Sequence, residues 1–372
     1  MFFKDIIGQD SIKKQLIESA QKGTVPHSHL FCGQAGTGAF PLAFAYARYL
    51  NCRERTDTDS CGKCSSCLKY NDMVHPDLHF IFPIVKEKKK EICDDYIREW
   101  RDFLSTHRYF DLNMWLSYMD VVNKQALIYA KESDDIIRKV HLRIYEAEYR
   151  ILLIWMPERM HITCANKLLK LIEEPPKNTI ILMVSEDPDK ILGTILSRSQ
   201  RINIGPIQTE ALAGTIATTL ARSFEEARQL AHMSHGNYLA VIDAINVSEE
   251  NAYFLEQFKL IMRNSWMRNV KGMKLFAEEM ASIGRERQKN FLAYCQRLVR
   301  ENFMYRFQAE EINYMNQDER TFSTKFAPFI NERNVFDFIE ELSESERHIA
   351  QNGNAKMIFF DLALHITVLL KK

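Results

Sequence analysis

The chain of 372 residues has no surplus of either charge, 49 Lys and Arg standing against 49 Asp and Glu. A protein that coats nucleic acid or a membrane surface by bulk electrostatics carries a basic excess, so any such contact here must be local. No stretch approaches the roughly 20 apolar residues of a membrane-spanning helix. The first residues, Met1-Phe-Phe-Lys-Asp-Ile-Ile-Gly8, also lack the long apolar region of a secretory signal. A soluble, cytoplasmic protein with no membrane partner is expected. In that reducing setting the eight cysteines are not expected to form a disulfide framework, which leaves metal binding or plain burial. Hydrophobic residues make up 46% of the chain, ample for packed cores, and the length implies two or three domains.

A second set of absences lies in Gly33-Gln-Ala-Gly-Thr-Gly-Ala-Phe40. Gly33 and Gly38 fill the glycine positions of the phosphate-loop pattern G-x-x-x-x-G-K-[ST], with Gly36 between them. Ala39 stands where the pattern has lysine, and Phe40 where it has the hydroxyl residue. The lysine would supply charge for the β/γ-phosphates and the hydroxyl would hold Mg²⁺; alanine and phenylalanine can do neither. A chance glycine-rich turn is the alternative, but the flanks favour a degenerate phosphate loop. Pro26 to Gly33 reads as a short buried strand running into the loop, and Pro41 to Leu50 as the helix behind it. Farther on, the apolar strand Ile151 to Ile154 ends in Trp155 and Met156, where an ATPase of this architecture would place its Mg²⁺-coordinating and water-polarising acids. Glu158, two residues beyond, reads as a surface residue.

Directly after the loop helix come Cys52, Cys61, Cys64 and Cys67, spaced C-x8-C-x2-C-x2-C. Adjacent C-x2-C steps let successive thiolates converge on one ion, and the longer loop returns the fourth ligand to close a tetrahedron. Structural zinc is the expectation, against iron–sulfur or no metal; with four sulfur ligands no position stays open for catalysis. Cys32, Cys93, Cys164 and Cys295 read as buried apolar residues.

Leu78 to Ile84 reads as the next strand, and residues 85–148 as a long insertion opening with the charged run Lys86 to Glu91. Tyr96, Trp100, Phe103, Tyr109, Phe110, Trp115 and Tyr118 are expected to pack this insertion onto the main domain, a partner surface being the alternative. Caps are expected at Asp10 or Ser11 for the first helix and at Ser133 for the helix through Val140. Ala165 to Pro176 reads as an amphipathic helix stopped by its prolines, Asn178 to Ser185 as a buried strand, and Ile195 to Ile204 as a basic turn entering a last strand. Helices follow almost throughout, including Thr209 to Ala221, Phe224 to Met233, Tyr238 to Ile245, Asn331 to Ser343 and Ala355 to Leu370.

Ile7-Gly-Gln9, Pro26-His27, the glycine loop, the four cysteines, His75-Pro76, Ala165 to Lys170, Glu173-Glu-Pro-Pro176 and Ser197-Arg198 occur in the order seen in bacterial clamp-loader subunits. The chain thus resembles the AAA+ clamp-loader family of DNA polymerase III over about residues 3–204. That resemblance implies an α/β AAA+ module, a parallel sheet flanked by helices with a zinc-binding insertion, followed by a helical lid and an all-α collar domain. The expected division is 1–205 for the AAA+ domain with its zinc module at about 52–67, 206–247 for a three-helix lid and 248–372 for the collar. It also implies a hetero-pentamer with ATPase subunits and a delta subunit, which opens the sliding clamp and loads it on primed DNA. The losses at Ala39, Phe40, Trp155 and Met156 point to the non-hydrolysing member, and ATP binding by this chain is not expected. Leu239 adds a third loss, standing where an ATPase would place a lid arginine. Arg198, with Ser197, matches the position at which related subunits present an arginine finger to a neighbour's ATP site, although the family's Ser-Arg-Cys reads Ser-Arg-Ser here. The alternatives are a working ATPase subunit with an atypical loop and, with only the cysteines behind it, a zinc-dependent nucleic-acid reader.

Overall fold

The computed structural model describes residues 1–87, 90–121, 124–306 and 315–372, so Lys88 and Lys89 of the charged run lie outside the described residues. The described chain divides into two compact units, 1–244 and 245–372. In the first, five strands form one sheet: β1 (Ser28–Cys32), β2 (Leu78–Ile81), β3 (Arg150–Trp155), β4 (Thr179–Ser185) and β5 (Gln200–Asn203). Their order is β2-β3-β4-β1-β5 and every pairing is parallel. Parallel strands covered on both faces read as continuous apolar runs, and β3 and β4 are buried at every residue. The first helix, α1 (Asp10–Gln21), precedes β1. Its N-cap is Gln9 in the left-handed region, and neither Asp10 nor Ser11 caps it. The Gln9 side chain instead donates to the carbonyls of Thr37 (3.2 Å) and Gly205 (2.7 Å).

Helix α2 (Ala39–Leu50) is buried along its whole length. Its alanines Ala39, Ala43, Ala45 and Ala47 and the rings of Phe44 and Tyr46 are all buried, a close-packed mixture of small and large side chains. After α3 (Ser65–Asn71), β2 stops at Ile81, short of the expected Ile84, because Pro83 has no N–H for the ladder; its carbonyl instead receives the Trp115 indole N–H at 2.9 Å.

The insertion builds α4 (Ile97–Thr106), α5 (Leu112–Tyr118) and α6 (Ala130–His141). Trp100, Phe103 and Trp115 are fully buried, whereas Tyr118, expected to pack, leaves 46% of its surface exposed. Helix α6 begins three residues before the expected cap, and the Ser133 hydroxyl lies inside it on the carbonyl of Ala130 (2.6 Å). The end of the insertion is tied down by the buried Asp77 carboxylate, which receives the N–H groups of Tyr145, Glu146 and Ala147 at 2.7, 3.0 and 3.0 Å. These bonds, opposed by burial, hold that carboxyl below its usual range.

Helices α7 (Ile162–Glu173) and α8 (Gly193–Leu196) flank β4 in sequence, and α9 (Thr209–Thr219) and α10 (Phe224–Met233) pack on each other after β5. His235 and Gly236, both at positive φ, break the chain before α11. This helix, expected to end at Ile245, runs from Tyr238 to Trp266, so the division between the units falls inside it.

The second unit is all-helical in its described residues: the rest of α11, α12 (Val270–Ser282), α13 (Arg285–Arg306), α14 (Gln317–Phe326), α15 (Val335–Ala350) and α16 (Ala355–Leu369). Its core gathers Phe258, Phe291, Leu298, Phe338, Phe359 and Ile366. Helix α15 starts four residues after the expected Asn331, because Asn334 Oδ1 takes the Asn331 N–H (2.8 Å) and folds those residues into a turn. Among the described residues no helix is long and apolar enough to cross a membrane.

Candidate nucleotide site and metal centre

The loop lies at the carboxyl ends of β1 and β4, where open parallel sheets bind ligands. Gly33 N–H donates to Ser185 O at 3.0 Å, and a Cβ at Gly33 would stand 2.8 Å from both Ile204 Cβ and Thr37 Oγ1. Gly36 and Gly38 take φ of 84° and 99°, which explains two of the glycines by backbone geometry alone. The start of α11 closes over this loop. Asn237 Nδ2 donates to Ala35 O (2.8 Å) and Tyr238 N–H to Gly36 O (3.1 Å). With Gln9 on Thr37 O, three successive loop carbonyls are held by residues from outside the loop.

Aromatic rings fill the space in front of it. Phe40 meets Phe110 edge-on at 5.0 Å between centroids, and Phe110 meets Trp155 at 5.0 Å. Phe40 of the loop helix and Trp155 at the end of β3 are thus joined through a ring from the insertion. Next to it Tyr109 packs on Tyr238 (4.9 Å), accepts the Ile7 N–H on its hydroxyl (2.9 Å) and would stand 3.6 Å from a Cβ at Gly38. The cavity left between loop and rings has about 20 Å³, room for roughly one water. The sequence pointed to Tyr109 and Phe110 only as packing residues. No local spacing signals that a residue 102 positions from Ile7 will occupy this site.

Trp155 and Met156 are both buried, and Met156 sits in the left-handed region at φ 57°. Glu158, expected on the surface, is instead turned inward: its Oε1 accepts the N–H groups of Glu186 (3.0 Å) and Asp187 (3.4 Å), while Oε2 is buried without a hydrogen-bond partner. The turn after β3 doubles the chain back across the end of β4, which the linear register could not reveal. Burial raises Glu158 above the usual carboxyl range. Burial, then the neighbouring Glu158 and Asp111, push Glu186 up to about 7. The end of β3 thus faces two neighbouring carboxyls, Glu158 and Glu186, both held above the ordinary range. Leu239 brings no charge to the site; its N–H donates to Asn237 Oδ1 at 3.0 Å.

The four predicted cysteines converge. Their sulfurs all lie within 4.8 Å of one another, with Cys61 and Cys67 at 3.9 Å. Metal–sulfur bonds of about 2.3 Å in a tetrahedron require sulfur–sulfur edges of about 3.8 Å, so the set fits a zinc ion. The backbone is arranged for thiolates. Cys61 N–H donates to Cys52 Sγ (3.3 Å), Cys64 N–H to Cys61 Sγ (3.3 Å) and Cys67 N–H to Cys64 Sγ (3.5 Å). Burial works to raise Cys61, but the N–H groups of Lys63 and Cys64 prevail and draw it down to about 7. Cys32, Cys93, Cys164 and Cys295 are buried as expected.

Ser197 and Arg198 follow α8. The Arg198 guanidinium pairs with Glu173 Oε1 at 2.7 Å and donates to Thr194 O at 2.9 Å, with more than a third of each charged side chain exposed. The first glutamate of the Glu-Glu-Pro-Pro run therefore holds it, a pairing that sequence order alone does not signal.

The family model described as DNA polymerase III, delta subunit, matches residues 8–208. Among similar proteins, subunit delta′ of DNA polymerase III from Bacillus subtilis is 27% identical over 268 residues, 72% of this chain and 68% of that one. Subunit delta′ from Pseudomonas aeruginosa is 26% identical over 264 residues, 68% of this chain and 66% of that one. Subunit tau from Bacillus subtilis is 25% identical over 212 residues, 57% of this chain but only 30% of its own length. A solved structure of a gamma subunit-related protein from Thermotoga maritima covers 97% of this chain and 99% of its own at 13% identity and a TM-score of 0.38, too loose to add to the topology above. The family match lies over the parallel sheet, the glycine loop and the cysteine centre of this AAA+ fold, and the chain belongs to the DNA polymerase III delta-subunit family of clamp-loader proteins.

Proposed function

We propose that this chain is the non-hydrolysing, delta′-type subunit of a cytoplasmic DNA polymerase III clamp loader. It assembles with ATPase subunits and a delta subunit into a hetero-pentamer that loads the sliding clamp on primed DNA. Residues 206–247 serve as lid and 248–372 as collar in that assembly. The observation that carries the non-hydrolysing role is the filled phosphate site. Phe40, Phe110 and Trp155 stand where a triphosphate and its Mg²⁺ would need space and charge, and about 20 Å³ remains. The reading of a working ATPase with an atypical loop has no support in this geometry. The four cysteines hold zinc as a brace of the first unit.

Arg198 contributes to chemistry on a neighbour. A guanidinium is always charged and can bridge phosphate oxygens of a nucleotide held by another chain. Its pairing with Glu173 is half-exposed and worth about 0.2–1 kcal/mol, weak enough to exchange for phosphate. The test is reconstitution with the ATPase subunits, clamp and primed DNA. The isolated chain should bind and hydrolyse no ATP. Arg198→Ala should leave assembly intact and lower DNA-stimulated hydrolysis, by up to the roughly 10³-fold or more that a finger contributes at the one site it serves. Normal clamp loading by the assembled mutant complex would assign Arg198 a structural role.

A further inference from the structure

Arg48, on α2, is fully buried, yet no carboxylate pairs with it among the described residues. Its Nη1 reaches only the Met1 carbonyl, at 3.5 Å, and its Nε and Nη2 are buried without any hydrogen-bond partner. One face of the guanidinium is sealed by the Phe2 ring, 3.6 Å from its carbon to the ring centroid. Its Nη2 lies at Gly62, where a Cβ would come within 3.8 Å of it, inside the Cys61–Cys64 step of the metal centre. A buried cation with unused donors is strongly unfavourable unless an anion faces it. The group that can do so is the cysteine cluster. Gly62, which Nη2 approaches, lies between Cys61 and Cys64, and Cys67 is buried with its sulfur 3.9 Å from that of Cys61.

We propose that Arg48 is the counter-charge of the tetrathiolate centre, its guanidinium offsetting, across Gly62 and Cys67, the net negative charge that four thiolates leave around a divalent ion. The proposal rests on the zinc reading above and extends it to a residue outside the ligand set. Arg48 touches neither the metal nor any substrate; it positions and balances the sulfurs that do, as outer partners of metal ligands generally do. Phe2 excludes water from the guanidinium and so keeps the interaction strong. The glycine at position 62 also acquires a reason beyond its φ of 74°: a side chain there would meet Phe2 at 3.0 Å and crowd the guanidinium it seals.

The experiment uses the full chain, loaded with zinc and compared with the same protein stripped by chelator. Arg48→Met, neutral and of similar length, should lose zinc to a chromophoric chelator at an affinity weakened about 10–100-fold, the usual effect of removing an outer partner. Arg48→Lys should hold zinc more tightly than Arg48→Met, because it keeps the charge and loses only the planar fork. The melting temperatures separate charge balance from packing. Arg48→Met should lower that of the zinc-loaded protein and raise that of the stripped protein, in which the buried guanidinium no longer faces the zinc-bound tetrathiolate. Wild-type zinc affinity in Arg48→Met, equal loss in both variants, or an equal drop in melting with and without zinc would each overturn the proposal. A zinc-free wild-type protein would overturn the metal reading itself, a different result from zinc retained regardless of residue 48.

Discussion

At residue 186 a carboxyl group is held in its protonated form by its surroundings. Glu186 is pushed up to about 7 by burial first and then by Glu158 and Asp111, against an ordinary value of 4.5. The native chain therefore keeps a proton that the unfolded chain releases above about pH 4.5. Stability falls as pH rises from there to about 7 and levels off beyond. At about 1.4 kcal/mol per pH unit the loss is on the order of 3 kcal/mol. Glu186→Gln, which keeps the neutral shape, should melt higher than the wild type at about pH 8 and alike at about pH 4. Parallel pH dependence in the two proteins would show that this carboxyl ionises normally. The same corner shows what one residue type conveys and what it hides. That Trp155 and Met156 offer no carboxylate for Mg²⁺ is plain from their types. The inward turn of Glu158 is not, because it depends on where the end of β4 lies in space.

Among the elements, the glycine loop is the one most constrained from two sides. Gly36 needs positive φ, and a Cβ there would stand 2.0 Å from Asn237 Oδ1, the atom that takes the N–H groups of Leu239 and Ala240 at the start of α11. Gly36→Ala should therefore cost about 2 kcal/mol or more, read as a lowered melting temperature, although it removes no contact of the wild type. A melting curve equal to the wild type would mean that loop and helix start part easily. Elements with local signals were legible: strand, glycine turn and helix in sequence, and four cysteines within one short module. The clamp of Asn237 on Ala35 spans 202 residues, and the hydroxyl of Tyr109 serves Ile7 across 102. Such contacts are fixed by topology, which brings distant segments together without leaving a pattern in either. The helix starts at Thr209, Phe224, Tyr238 and Ala355 were legible, but the one at Ser133 failed for a related reason. Ser133 looks like a cap by type, but α6 was already under way, held by packing and not by its first polar residue.

For the first unit as a whole, Gln9, Asn237, Tyr238 and Tyr109 join the sheet, the glycine loop and the start of α11. Tyr109→Ala should cost about 3 kcal/mol, in line with large aromatic truncations in cores, and should speed hydrogen exchange at the start of α11 more than in β3 or β4. Adding Mg²⁺ and ATP should change exchange nowhere in the wild-type chain; slowed exchange at the glycine loop would show that nucleotide enters after all. The rings of Tyr109 and Phe110 are covalently part of the chain whose site they fill. A tethered occupant competes at an effective concentration set by its linkage, on the order of mM for short flexible tethers and more when packed in place. Dilution does not release it, and a nucleotide would have to displace it from every molecule at once. Under the proposed non-hydrolysing role, a ligand that gains no entry exerts no differential pull on the start of α11, and this module should keep one shape while nucleotide-binding neighbours change theirs.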